Sequence, residues 1–110
     1  MPWQFRYCYE GGHKVVTRYA VVFMREPAEA DGVRVGVVAS RKVGGAVKRN
    51  RARRLLREAA RSFVSRWQDR SMWVVLVARE AINERNARDV QDDIERALLD
   101  DGAFIPRTPE

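Results

Sequence analysis

Apolar residues recur at helical spacing in three stretches of the chain and run together or alternate in three others. Phe5, Cys8 and Tyr9 stand at i, i+3 and i+4, which would gather them on one side of a short helix from Trp3 to Glu10, ended by Gly11-Gly12. Val15 to Arg25 is dense in β-branched and aromatic residues, and Val33 to Ser40 is a second segment of that kind. Between them Glu26 to Gly32 supplies a proline, three acids and a glycine, so the two read as antiparallel strands joined by an irregular loop. Beyond Gly44-Gly45, the set Leu55, Leu56, Ala59, Ala60, Phe63, Val64 and Trp67 predicts one long amphipathic helix from about Val47 to Trp67. Ser71 to Arg79 is an unbroken apolar run with valines, the pattern of a strand covered on both faces.

The last helix announces its own ends. Asn86-Ala87-Arg88-Asp89 resembles a capping box with aspartate where glutamate or glutamine is usual, and Val90, Ile94, Ala97 and Leu98 form a core-facing stripe stopped by Gly102. Residues 103–110, with Pro106 and Pro109, are expected to be a loose tail. Helix, strands, helix, strand, helix is the order of an α+β protein, a two-layer α/β sandwich with helices packed on a sheet whose other face is left partly open for binding. At 110 residues the chain has apolar material for one core, so residues 1–110 are expected to form a single domain.

Charge changes this picture. The net charge of +6 hides an asymmetry, since residues 1–79 hold 17 basic and 6 acidic side chains and residues 80–110 hold 4 and 9. Between Val33 and Arg57 there is no acid at all, against Arg34, Arg41, Lys42, Lys48, Arg49, Arg51, Arg53, Arg54 and Arg57. Like charges one helical turn apart, as in Arg49, Arg53, Arg57 and Arg61, cost a few tenths of a kcal/mol per pair. A polyanion lying across them removes that penalty, and the positive dipole end of the helix would sit beside Lys48 and Arg49. A solvated charged face is the alternative, and it normally mixes both signs. Of the 21 basic residues only Lys14, Lys42 and Lys48 are lysine. Arginine's planar fork suits phosphate and base stacking, although genomic composition would produce the same bias. If about five phosphates are neutralised, log affinity falls with log salt at a slope of roughly −3.5 to −4.5. Phe5, Tyr9 and Phe23 would stack unpaired bases where helix meets sheet, although residues of this kind more often serve as core.

Other chemistries lack their residues. One histidine, His13, and one thiol, Cys8, are too few for a zinc site or a nucleophile–histidine pair. The glycines do not form a phosphate loop, and Asp92-Asp93 and Asp100-Asp101 read as solvated helix exterior rather than a magnesium site. Nothing indicates a catalytic centre, a metal or a cofactor held by the protein itself. A lone cysteine asks for no oxidising compartment, and the longest apolar runs, Ala20 to Met24 and Trp73 to Ala78, are too short to span a bilayer. A cytoplasmic protein with no membrane partner is expected.

The stretch Arg34-Val35-Gly36-Val37, followed by Ser40-Arg41-Lys42-Val43-Gly44-Gly45-Ala46-Val47-Lys48-Arg49-Asn50-Arg51-Ala52-Arg53-Arg54-Leu55-Leu56-Arg57-Glu58, resembles the signature of the protein subunit of bacterial ribonuclease P. Phe5, Cys8-Tyr9 and Gly12 fall where that family has a phenylalanine, an apolar-aromatic pair and a glycine, and Phe23 where it has a strand aromatic. The resemblance runs from Phe5 to about Leu99. Two departures stand against it: only Met1 to Gln4 precede Phe5, where the family has a basic lead-in, and Gly45 replaces an asparagine.

The resemblance implies a ribosomal-protein S5 domain 2-like fold, with a left-handed β-α-β crossover through the arginine-rich helix. It also implies a function. The protein would bind a large catalytic RNA, and together they would remove the 5′ leader of precursor tRNA, with magnesium chemistry supplied by the RNA. Arg41, Lys42, Lys48, Arg49, Asn50, Arg51, Arg53, Arg54 and Arg57 would face that RNA, while Phe5, Tyr9 and Phe23 would line a cleft for the single-stranded leader. The nearest alternative is a ribosomal or other structural RNA-binding protein on the same fold. A leucine-zipper-like DNA-binding basic helix is disfavoured because Ser71 to Arg79 reads as a strand where a heptad seam would be needed. A nuclease acting without RNA would betray itself by activity of the protein alone.

Overall fold

A computed structural model describes residues 3–26, 32–67 and 70–104. Helix α1 spans Trp3–Gly11, strands β1 and β2 span His13–Val16 and Ala20–Arg25, and β3 spans Val33–Val38. Helix α2 (Ala46–Phe63) runs into a 3-10 turn at Val64–Trp67, β4 covers Met72–Ala78, a second 3-10 turn covers Glu80–Glu84, and α3 covers Ala87–Asp101. The four strands form one mixed sheet in the order β1-β2-β4-β3, with β3 parallel and β2 antiparallel to β4.

Two expectations about the strands need correction. The segment Val15 to Arg25 is not one strand but the larger part of a hairpin, with Val16 opposite Val21 and Lys14 opposite Phe23. Its turn has no glycine, proline or asparagine. Instead the buried Thr17 hydroxyl exchanges 3.0 Å contacts with the N–H and carbonyl of Ala20, and the Asp93 carboxylate on α3 accepts from the N–H groups of Arg18 (3.2 Å) and Tyr19 (3.0 Å). The second correction concerns pairing. β2 and β3 do not pair, because β4 lies between them. β3, α2 and β4 thereby form the parallel β-α-β crossover that the resemblance implies.

One face of the sheet carries the core. Ala20, Val22 and Met24 of β2 and Met72, Val74, Leu76 and Ala78 of β4 meet Ala52, Leu55, Leu56, Ala59, Ala60 and Phe63 of α2 and Val90, Ile94 and Leu98 of α3. Each large side chain buried there contributes about 1.5–3 kcal/mol. The tail expectation fails at its start: Phe104 packs 5.3 Å from the Trp67 ring, and the Ala103 carbonyl accepts from Trp67 Nε1 (3.0 Å) and Arg70 (3.1 Å). Residues 105–110, the remainder of that expected tail, lie outside the described residues. α1 lies across the opposite face of the sheet, where its Tyr7 meets Trp73 of β4 edge-on at 5.3 Å and the Arg25 guanidinium stacks 3.7 Å from the Tyr7 ring.

Candidate nucleic-acid interface

The head of α2 is built against the usual rules for a helix start. Its N-cap is Gly45 in extended backbone, no side chain caps the first turn, and no acid lies in it. The apolar positions Ala52, Leu55, Leu56, Ala59, Ala60 and Phe63 occupy the buried face, which by helical geometry sends Asn50, Arg54, Arg57 and Arg61 to the opposite side. Those four are exposed, as are Lys48 and, on the preceding turn, Arg41 and Lys42, while Arg49 and Arg53 are half-buried on one flank. Among the described residues, Arg54 is the one cation between Arg41 and Arg57 that meets a carboxylate, Glu58 at 4.0 Å, in an exposed pair that contributes little. The Arg53 guanidinium donates to Asn50 Oδ1 at 2.5 Å, and the buried Arg49 Nε–H has no acceptor among the described residues.

Arg51 behaves differently from its neighbours. Its guanidinium turns to the other flank of α2 and donates to the backbone carbonyls of Ile82 (3.4 Å), Asn83 (3.3 Å) and Arg85. The segment it holds, Glu80–Glu84, was not foreseen from sequence, because it follows β4 without a periodic apolar pattern.

The second part of the site lies on the α1 face of the sheet. Strand registers place Lys14, Phe23, Val75 and Gly36 in one row across all four strands, and Val16, Val21, Val77 and Val38 in the next. Phe5 lies against Gly36, so closely that a Cβ there would sit 2.5 Å from the ring. Tyr9, one turn along α1, meets Phe23 edge-on with centroids 4.7 Å apart. The two helix aromatics therefore meet one row at positions two strands apart, with Val75 between them, and Phe5, Tyr9 and Phe23 are all half-buried. A pocket of about 250 Å³ opens beside Phe5, lined also by Cys8, Arg34, Gly36 and Trp73. Burial pushes the Cys8 thiol up against the opposing pull of Arg25, and it likewise pushes up the Tyr9 phenol, helped by Cys8. The valine row, with Val16 56% exposed, extends this surface. It escaped notice in the sequence because its members come from four strands and no local spacing links them.

Both surfaces are now placed, and the ribonuclease P family model matches residues 1–100. The chain belongs to the ribonuclease P protein family. Among curated relatives, the ribonuclease P protein component of Caulobacter vibrioides is 41% identical over 85 residues, covering 76% of this chain and 57% of that protein. That of Chloroflexus aurantiacus is 35% identical over 105 residues, covering 96% and 76%. This chain spans less than two thirds of the first of these relatives. The ribonuclease P protein of Staphylococcus aureus superposes with a TM-score of 0.80 at 28% identity, covering 94% of each chain. The Thermotoga maritima ribonuclease P protein superposes at 0.73 with 25% identity, covering 86% and 91%. The α+β sandwich expected from the residues is thus the fold of the ribonuclease P proteins.

Proposed function

We propose that this chain is the protein subunit of a ribonuclease P, binding a catalytic RNA and assisting it in removing the 5′ leader of precursor tRNA in the cytoplasm. The observation that carries the proposal is the uncapped, acid-free head of α2, where among the described residues every exposed cation from Arg41 to Arg57 except Arg54 lacks a carboxylate partner. Arg41, Lys42, Lys48, Asn50, Arg54 and Arg57, with the flanking Arg49 and Arg53, supply the RNA contacts, and their positive field lets two RNA backbones approach each other. Phe5, Tyr9 and Phe23 hold the single-stranded leader by stacking, which favours the precursor over the mature product. The RNA is assigned the magnesium ions of the reaction, and this chain's part is to bind and orient.

The test is reconstitution with the cognate RNA at low magnesium, where the protein is expected to raise cleavage of precursor tRNA. No protein-dependent gain would refute the proposal. The cleft is tested separately. Replacing Phe5 and Tyr9 by alanine is expected to weaken precursor binding by about 1–3 kcal/mol per lost stacking contact, with mature tRNA binding unchanged.

A further inference from the structure

Arg51 sits within the most basic turns of α2, yet both of its terminal nitrogens are committed to backbone carbonyls of one short segment. Those carbonyls, of Ile82, Asn83 and Arg85, belong to a 3-10 turn and its end, where regular helical partners run out. The same segment reaches back to the start of α2. Asn83 Nδ2 donates to the Val43 carbonyl at 2.7 Å. Val43 is buried and sits in a tight turn closed by Val43 N–H to Ser40 O (3.0 Å) and Gly44 N–H to Arg41 O (3.1 Å). That turn carries Arg41 and Lys42 out into solvent beside the helix head. A continuous path therefore runs from the Arg51 guanidinium, through residues 80–85 and the Asn83 amide, to the turn that presents two cations.

We infer that Arg51 and Asn83 are positioning residues, which tie the 40–44 turn to α2 and so set where Arg41 and Lys42 stand relative to Arg49, Asn50 and Arg53. This rests on the RNA-binding reading above and deepens it. Within the Arg49-Asn50-Arg51 run, one arginine acts through the backbone it holds, not through a phosphate. Asn83, outside every basic motif, joins the RNA-binding machinery without touching RNA. A guanidinium fork spans several carbonyls at once, whereas a lysine ammonium reaches fewer and fixes none in a plane.

The experiment measures binding of the full chain to the catalytic RNA over a salt series, with melting curves and amide hydrogen exchange on the free protein. Asn83→Ala removes no charge. It is expected to weaken RNA binding by about three- to tenfold with the salt slope unchanged, and to speed exchange at Val43 and Gly44. Arg51→Lys keeps its charge and is expected to show the same loss at the same slope. Retained affinity in Arg51→Lys, with the slope reduced by about 0.7–0.9 in Arg51→Ala, would mark a direct phosphate contact and overturn the inference. Lower melting temperatures with undiminished affinity of the folded variants would mark mere structural support and overturn it too. Failure of the unsubstituted chain to bind the RNA would sink the RNA reading and the inference with it, whereas normal parent binding matched by Asn83→Ala sinks the inference alone.

Discussion

Helices α2 and α3 pack against the same face of the sheet, and they treat their own ends in opposite ways. α3 opens with Asn86, whose Oδ1 accepts from the Asp89 N–H at 2.9 Å, carries the acid Asp89 in its first turn, and closes on Gly102 in the left-handed conformation at φ 80°. Every one of these features stabilises a helix. α2 opens with Gly45, uncapped, and fills its first two turns with Lys48, Arg49, Arg51 and Arg53. The apolar faces of both helices are equally orderly, with Leu55, Leu56, Ala59 and Phe63 on one and Val90, Ile94 and Leu98 on the other. The departure is therefore confined to the solvent side of one helix head. The proposed RNA contact accounts for a protein that caps one helix well and leaves the other both uncapped and self-repelling, since natural sequences break local rules chiefly at functional sites.

The largest effect is expected from reversing the charge of that head. Arg41→Glu, Lys48→Glu and Arg57→Glu together, all at exposed positions, should lower affinity for the catalytic RNA by about two orders of magnitude or more and flatten its salt dependence, while the melting temperature holds or rises. A matching loss of stability would break the contrast, because it would make those cations part of the fold. On the other helix, Asn86→Ala should cost about 1 kcal/mol in denaturant unfolding and leave RNA affinity of the folded protein unchanged. Smaller again is the effect of repairing α2. Gly45 has extended backbone and open space around its Cβ position, so Gly45→Ser with Lys48→Glu builds a capping box without strain. The double variant should gain roughly 0.5–1 kcal/mol in stability and bind RNA more weakly, a trade that melting and a binding isotherm would read together.

Much of this was legible in the residues. The apolar stripe of α2, the two-sided valine run of β4 and the cap-to-glycine limits of α3 all appear where periodicity and turn chemistry put them. The cationic surface was legible too, because an amphipathic helix sends most charges of an acid-free run away from its apolar face. What failed was anything that depended on a distant partner. The β1–β2 hairpin was invisible because its turn is held by Thr17 and by Asp93, 75 residues from Arg18. Ala103 and Phe104 read as tail because their partners, Trp67 and Arg70, lie more than 30 residues back. The aromatics remained ambiguous between core and cleft, and their partners come from afar: Gly36 leaves Phe5 room to lie against the sheet, and Phe23 of β2 meets Tyr9.

From its sequence alone this protein determines its three α-helices and β4, where α3 starts and stops, and which face of α2 is charged, since each follows from interactions within about four residues along the chain. Only the tertiary structure decides that β4 lies between β2 and β3, that Arg51 holds the carbonyls of Ile82, Asn83 and Arg85 while Arg53 meets Asn50, and that Phe5 and Tyr9 meet one sheet row. Strand order and the destination of a long side chain are set by acceptors and packing partners supplied from far along the chain, and local spacing carries no record of them.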